Sequence, residues 1–184
     1  MKQAPRGRPS GRGLRVALVD ADMKCGLVSG VFGTARAPGF AELLQGTAKL
    51  EQSAKRMQVG QQGELTVVPA GVMAPTPGRG LEMERVRQVL NELAAWFDVV
   101  LVDTPPVNVL ADAALVGSAA DAVVLVVRAG HTDAEALRYA MEQLSAAQAP
   151  VAGTLLNDVD LREHYSDGSY RYAAEVERYY AGRE

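Results

Sequence analysis

Short apolar runs alternate with amphipathic stretches along the chain, and each run closes on a polar or turn-forming residue. Arg15–Val19 reads as a first strand leading into Asp20-Ala21-Asp22. Leu65–Val68 reads as a second, closed by Pro69, Ala70 and Gly71. Val99–Val102 is a third, ending at Asp103 and then Thr104-Pro105-Pro106. Ala122–Val127 ends at Arg128, and Val151–Leu156 ends at Asn157. Helices are expected between them. Phe40–Gln45 is stopped by Gly46, and Ala48–Met57 reads as a second helical piece. Residues 81–96 place Met83, Val86, Leu90 and Leu93, with Phe97 beyond, on one face at helical spacing. Asp112–Ala119 is a further short helix. Thr132, with Glu135 three residues on, has the spacing of a capping box; Leu137, Ala140, Met141 and Leu144 form the inner stripe of the helix that follows. Gly33–Gly39 and Val72–Gly80 read as loops.

Strands that are apolar on both faces, alternating with helices, imply an α/β fold: three layers, with a mostly parallel sheet flanked by helices. The 184 residues suit one such domain. Its expected span is 14–160, preceded by a basic, disordered lead-in (1–13) and followed by a tyrosine-rich tail (161–184). The overall net charge of −3 gives no reason to expect a nucleic-acid partner. Cys25 is the single cysteine, so no disulfide can form within the chain, and a reducing cytoplasm is the expected compartment. With only His131 and His164 beside it, a zinc site is a poor fit. No apolar run approaches the ~20 residues that span a bilayer, and the basic amino end lacks the apolar core of a signal peptide. A role at the inner membrane face would therefore need a partner.

The candidate chemistry sits at strand ends. In a parallel α/β sheet, ligands bind in the crevice outside the carboxyl ends of the strands. Asp20, Asp22, Asp103 and Asn157 all fall there in this reading. Two aspartates ending one buried strand cost desolvation and mutual repulsion unless a cation or a proton-transfer task justifies them. Asp103, after its apolar run, has the form of a Walker B carboxylate, which serves Mg2+ in nucleoside triphosphatases. Equally, an aspartate there can cap the Thr104-Pro-Pro turn by accepting backbone N–H bonds.

The stretches RVALVDADMKCGLVSGVFG, PGFAELLQG, VVPAG, FDVVLVDTPP, ADAVVLVVRAG and VAGTLLN resemble, in matching order, the cytoplasmic domain of bacterial tyrosine kinases. These are the autokinases of capsule and exopolysaccharide synthesis, related to partition and septum-positioning ATPases. The resemblance implies a P-loop-type fold and ATP-dependent tyrosine phosphorylation with Mg2+. It makes Ala17–Lys24 the family's extra acidic motif, with Asp20 and Asp22 as its acids, one near Mg2+ and one acting as base toward a tyrosine hydroxyl. Asp103 becomes the Walker B acid; Asp20 and Asp103 would serve the metal, and Lys24 and Asn157 the nucleotide. It also implies a membrane-anchored polysaccharide co-polymerase as activating partner, and self-association. Two departures stand out. Lys24 replaces the family's usual arginine, keeping charge but losing bidentate phosphate geometry, and Cys25-Gly26 stands in place of a basic residue and proline. No G-x-x-x-x-G-K-[ST] occurs in the chain; Gly7–Gly11 is glycine-rich but follows no apolar strand. The strand that carries that loop lies well inside the sheet in relatives, so its neighbours here are expected to be left with unpaired edges, as in a domain cut at its amino side.

Five of the six tyrosines, Tyr165, Tyr170, Tyr172, Tyr179 and Tyr180, crowd the final residues among charges and small polar groups. The resemblance implies a flexible tail phosphorylated by a neighbouring subunit; a closing amphipathic helix over Tyr172–Tyr180 is the other reading. Three functions stay open from sequence: an autokinase domain, a non-catalytic interaction or phospho-acceptor module of the same family, and a partition-type ATPase. The last leaves the clustered tyrosines without a use.

Overall fold

The computed structural model describes residues 13–60, 63–73 and 81–159. The chain runs β1 (Val16–Asp20), α1 (Val28–Val31), α2 (Phe40–Gln45), α3 (Leu50–Ser53), β2 (Lys55–Val59), β3 (Gly63–Val68), α4 (Met83–Trp96), β4 (Val99–Asp103), α5 (Ala111–Gly117), β5 (Val123–Arg128), α6 (Ala134–Ala146) and β6 (Val151–Asn157). The lead-in before Gly13 and every tail tyrosine lie outside the described residues.

The strands form two sheets. The first has the order β2-β3-β1-β4 and the second pairs β5 with β6. β1 is parallel to both β3 and β4, and β5 is parallel to β6; only β2 runs antiparallel, against β3. The expected α/β class, with a mostly parallel sheet flanked by helices, is therefore what forms. Among the described residues β4 pairs on one side only, as does β5.

Two expectations need correction. Ala48–Met57 is not one helix: α3 ends at Ser53 and residues 55–59 become β2, the edge strand facing β3. Lys55, Arg56 and Gln58 suit an edge that meets water, and the turn through Gly60, with φ of +60°, folds β2 back on β3. This tertiary pairing outweighs local helix propensity. Nor does Thr132 cap the fifth predicted helix. Asp133 is the cap, its Oδ1 accepting from Ala136 N at 2.7 Å. Thr132 Oγ1 instead accepts from Arg128 N at 3.1 Å, held in the turn that leaves β5. Of the predicted inner stripe, Ala140 and Leu144 are buried, whereas Met141 is exposed.

The core lies on one face of the larger sheet. Phe40, Leu43 and Leu44 of α2, Leu50 of α3, and Val86, Val89, Leu90 and Leu93 of α4 pack on Val19 and Val68, and Val116 of α5 joins them. Strand alternation explains the choice: Val100 and Val102 of β4 pack against this cluster, while Val99 and Leu101 are exposed. Arg85 of α4 ties itself to the end of α2 by donating from Nε to Leu44 O at 2.9 Å and from Nη2 to Leu43 O at 2.6 Å, the latter a carbonyl that also accepts from Gly46 N. At the amino ends of β1 and β4, Arg15 grips Asp98 with Nε and Nη2 at 3.2 and 3.0 Å, a two-pronged contact suited to fixing strand register.

Candidate functional site

Asp20 and Asp103 face each other as register partners at the carboxyl ends of β1 and β4. The strands continue to hold each other at this point, since Ala21 N donates to Asp103 O at 2.7 Å. Asp22 lies two residues beyond Asp20. Its Oδ1 accepts from Lys24 N at 3.2 Å and Cys25 N at 2.9 Å, and its carbonyl accepts from Gly26 N at 2.7 Å. The acidic stretch is thus a tight turn wound around one of its own carboxylates.

Asp20 is fully enclosed. Its Oδ1 accepts from Asp22 N at 3.1 Å and its Oδ2 from Val28 N at 3.2 Å. Burial pushes its carboxyl above the ordinary range; the N–H groups of Val28 and Asp22 pull it back, and the charges of Asp103 and Asp22 raise it further. Asp103 is raised as well, first by desolvation and then by Asp22, against a lowering hydrogen bond from Thr104 N. Asp22 therefore acts on both strand-end carboxyls, and Asp103 on Asp20.

Gly26 explains how the turn can close so tightly. A β-carbon there would lie 2.5 Å from both Asp20 Oδ2 and the Asp22 carbonyl. Only a residue without a side chain fits.

Arg36 was not singled out by any sequence motif, yet it ties this turn to its surroundings. Its Nη2 donates to Met23 O at 2.9 Å and Lys24 O at 3.3 Å, and its Nε to Gly71 O at 3.1 Å. Gly71 N returns a bond to Arg36 O at 2.9 Å. The loop after β3 is also bound to α2: Phe40 N and Ala41 N donate to Pro69 O and Ala70 O, while the Glu42 carboxylate accepts from Gly39 N and Val72 N. The only signal for Arg36 in the sequence is a basic residue inside a glycine- and proline-rich loop, which does not reveal its partners.

Not every predicted site residue joins this group. Asn157 ends β6, opposite Arg128, in the second sheet, where its carbonyl accepts from Ala129 N at 2.9 Å. Beside it, Arg128 Nε pairs with Asp158 at 2.7 Å. Lys24 is exposed on the turn.

Among the described residues no group of three or more His, Cys, Asp or Glu side chains forms a ready-made metal cage. Mg2+ does not require one: it binds through one or two carboxylates and completes its shell with water and substrate phosphates. Asp20 and Asp103, hard oxygen donors paired in register at neighbouring strand ends, fit that mode.

A scan against protein-family models returned no match. Curated relatives do match. The tyrosine-protein kinase YwqD of Bacillus subtilis is 30% identical over 159 residues, covering 86% of this chain and 66% of the relative. The putative tyrosine-protein kinase EpsB of Ralstonia solanacearum is 34% identical over 165 residues, covering 87% of this chain and 22% of the relative. The solved kinase domain of the Escherichia coli tyrosine kinase Etk superposes with a TM-score of 0.70 at 32% identity, over 79% of this chain and 56% of that one. This chain belongs to the bacterial tyrosine kinase family. It spans about two thirds of YwqD and under a quarter of EpsB. Membership places the Asp20–Asp103 pair on a fold shared with kinase domains. Among the described residues no helix is long and apolar enough to cross a membrane.

Proposed function

We propose that this chain is a tyrosine-kinase-type domain whose carboxylate edge holds Mg2+ for an ATP-dependent phosphorylation of tyrosine. The observation that carries the reading is the register of Asp20 against Asp103 on adjacent parallel strands, with Asp22 in the turn that follows β1. When bound, Mg2+ would neutralise charge that develops during transfer. Asp103, the more accessible acid, suits contact with the ion. Asp20, enclosed and held by two N–H groups, suits fixing the turn and the ion's water shell. Asp22 suits the role of base toward an incoming hydroxyl, and its raising effect on Asp103 supports their closeness. Lys24 offers charge to a phosphate at the same turn. Asn157, on the other sheet, is assigned to the nucleotide's base.

The five tail tyrosines are the proposed acceptors, phosphorylated between copies of the chain. Each phosphate would add about −1.5 to −2 charge and drive subunits apart. Membership of this family supports a place in capsule or exopolysaccharide synthesis; the activating partner would be a membrane-anchored co-polymerase at the inner face of the membrane.

Isothermal titration with Mg·ATP followed by phosphotyrosine detection tests this. Binding that disappears in Asp103→Asn, and a phosphotyrosine signal lost when all five tail tyrosines become Phe, would support it. A folded chain that neither binds Mg·ATP nor gains phosphate would leave the second reading, a non-catalytic phospho-acceptor module. That alternative is favoured by one observation: none of the 184 residues forms a G-x-x-x-x-G-K-[ST] loop. Its signature is tail phosphorylation only when a complete kinase of the family is added.

A further inference from the structure

β5 and β6 end together, with Arg128 opposite Asn157, and the main chain around them is tied at each step. Asn157 O accepts from Ala129 N at 2.9 Å, and Arg128 O accepts from Thr132 N at 2.9 Å and His131 N at 3.2 Å. The next residue stands out. Asp158 lies at φ +58°, in the left-handed region that residues with a β-carbon rarely enter. Gln148 also lies there, at φ +56°, but it closes α6, where a left-handed residue is ordinary. Asp158 follows a strand instead. Backbone of this kind persists where its surroundings hold it, and it gathers at binding and catalytic sites. Here the holder is Arg128, whose Nε donates to Asp158 Oδ2 at 2.7 Å. Both side chains are more than half exposed, at 59% and 54%, so the contact adds little to stability. Its effect is on direction. The chain is anchored on both sides of Asn157, through that residue's own carbonyl and through the side chain of the residue after it. Among the described residues the Asn157 amide takes no hydrogen-bond partner of its own.

We propose that Arg128 and Asp158 are a positioning pair: they hold the Asn157 carboxamide in one direction for the edge of a nucleobase, and so set affinity for the base rather than for the phosphates. The nucleobase rests on the reading of Asn157 given above; the ion pair and the turn do not. A carboxamide carries a donor and an acceptor in one plane, which matches the amine and neighbouring ring nitrogen of adenine. An amide on an unanchored strand end must be ordered when its ligand arrives, and that ordering weakens binding. Asn157 is already ordered by its neighbours. Phosphate is a poor occupant of this corner, because Asp158 neutralises Arg128 and its carboxylate repels anions.

The test is isothermal titration of the full chain with Mg·ATP and with magnesium tripolyphosphate, which has the phosphates and no base. Arg128→Gln and Asp158→Asn each remove the ion pair, and asparagine tolerates the left-handed turn. Each should weaken Mg·ATP binding about fivefold, and the double variant should weaken it no further, as expected of two groups that act as one. Tripolyphosphate should bind the parent and all three variants alike. Arg56→Gln, which removes the exposed ion pair with Glu64, should change neither affinity. A second measurement needs no nucleotide. Backbone nitrogen relaxation, read by NMR, should show Asp158 as rigid as β5 in the parent and looser in Arg128→Gln. A chain that binds neither probe overturns the nucleotide reading alone, and the relaxation then decides the pair. Four results would each overturn the proposal: unchanged Mg·ATP affinity in either single variant, equal losses for ATP and tripolyphosphate, losses that multiply in the double variant, or an Asp158 equally rigid in parent and variant.

Discussion

Gly26 stands against Asp20 so closely that a β-carbon at Gly26 would lie 2.5 Å from one carboxylate oxygen and 2.7 Å from the other. The turn that presents Asp22 therefore closes over a buried charge, and its geometry depends on a missing side chain. Gly26→Ala must displace either the enclosed carboxylate or the Asp22 carbonyl. The expected cost is about 1–3 kcal/mol, read by urea denaturation. A loss below about 0.5 kcal/mol would mean that the turn yields freely and does not hold Asp20 in place.

Stability should also depend on pH through this site. Asp20 and Asp103 hold their protons more tightly in the folded chain than in the unfolded one. Below the ordinary carboxylate range, near pH 4, both states are protonated and neither carboxyl costs anything. As pH rises through the raised folded values, the unfolded state releases protons first, and this contribution to stability falls until both states are ionised. Asp103→Asn should therefore show a shallower decline between acid and neutral pH than the parent, by denaturation at a series of pH values. Added Mg2+ should stabilise the parent more at neutral than at acid pH; an equal effect at both would argue against carboxylate binding.

Arg36 makes three hydrogen bonds to backbone carbonyls of two loops. Removing it leaves those carbonyls without a charged donor. Arg36→Ala is expected to cost about 1–3 kcal/mol and to speed amide exchange in 23–26 while leaving α4 unaffected. Lysine, a point charge without the planar fork, should recover only part of the protection. Equal exchange in all three forms would show that the turn is held by Asp22 and Gly26 alone.

The core offers a control remote from the carboxylates. Leu93 is fully buried in the cluster between α4 and the sheet. Leu93→Ala should destabilise by about 2–5 kcal/mol, with the same pH dependence as the parent. A changed pH profile would reveal that packing under β1 sets the carboxyl environment.

Much of this was legible in order along the chain. The five predicted strands all form, and Asp20, Asp103 and Asn157 turn out to be the last residues of β1, β4 and β6. Phe40–Gln45 begins and ends as its residues imply, with Gly46 at φ +72° closing the helix. Where the reading failed, a partner outside the segment itself decided. Residues 55–59 are a strand because β3 is there to pair with them. Thr132 gives up its predicted cap because its hydroxyl is taken by the turn after β5.

The sequence by itself determined the α/β class, the placement of acids at strand ends and the lack of a phosphate-binding loop, because periodicity and turn chemistry are properties of near neighbours. Tertiary structure alone decided that Asp103 lies beside Asp20 while Asn157 lies on a separate sheet, that Arg36 clamps the acidic turn, and that β4 and β5 each pair on one side only among the described residues. Register, sheet order and burial are set by backbone hydrogen bonds and packing between residues far apart in the chain, and local pattern holds no record of which strand lies next to which.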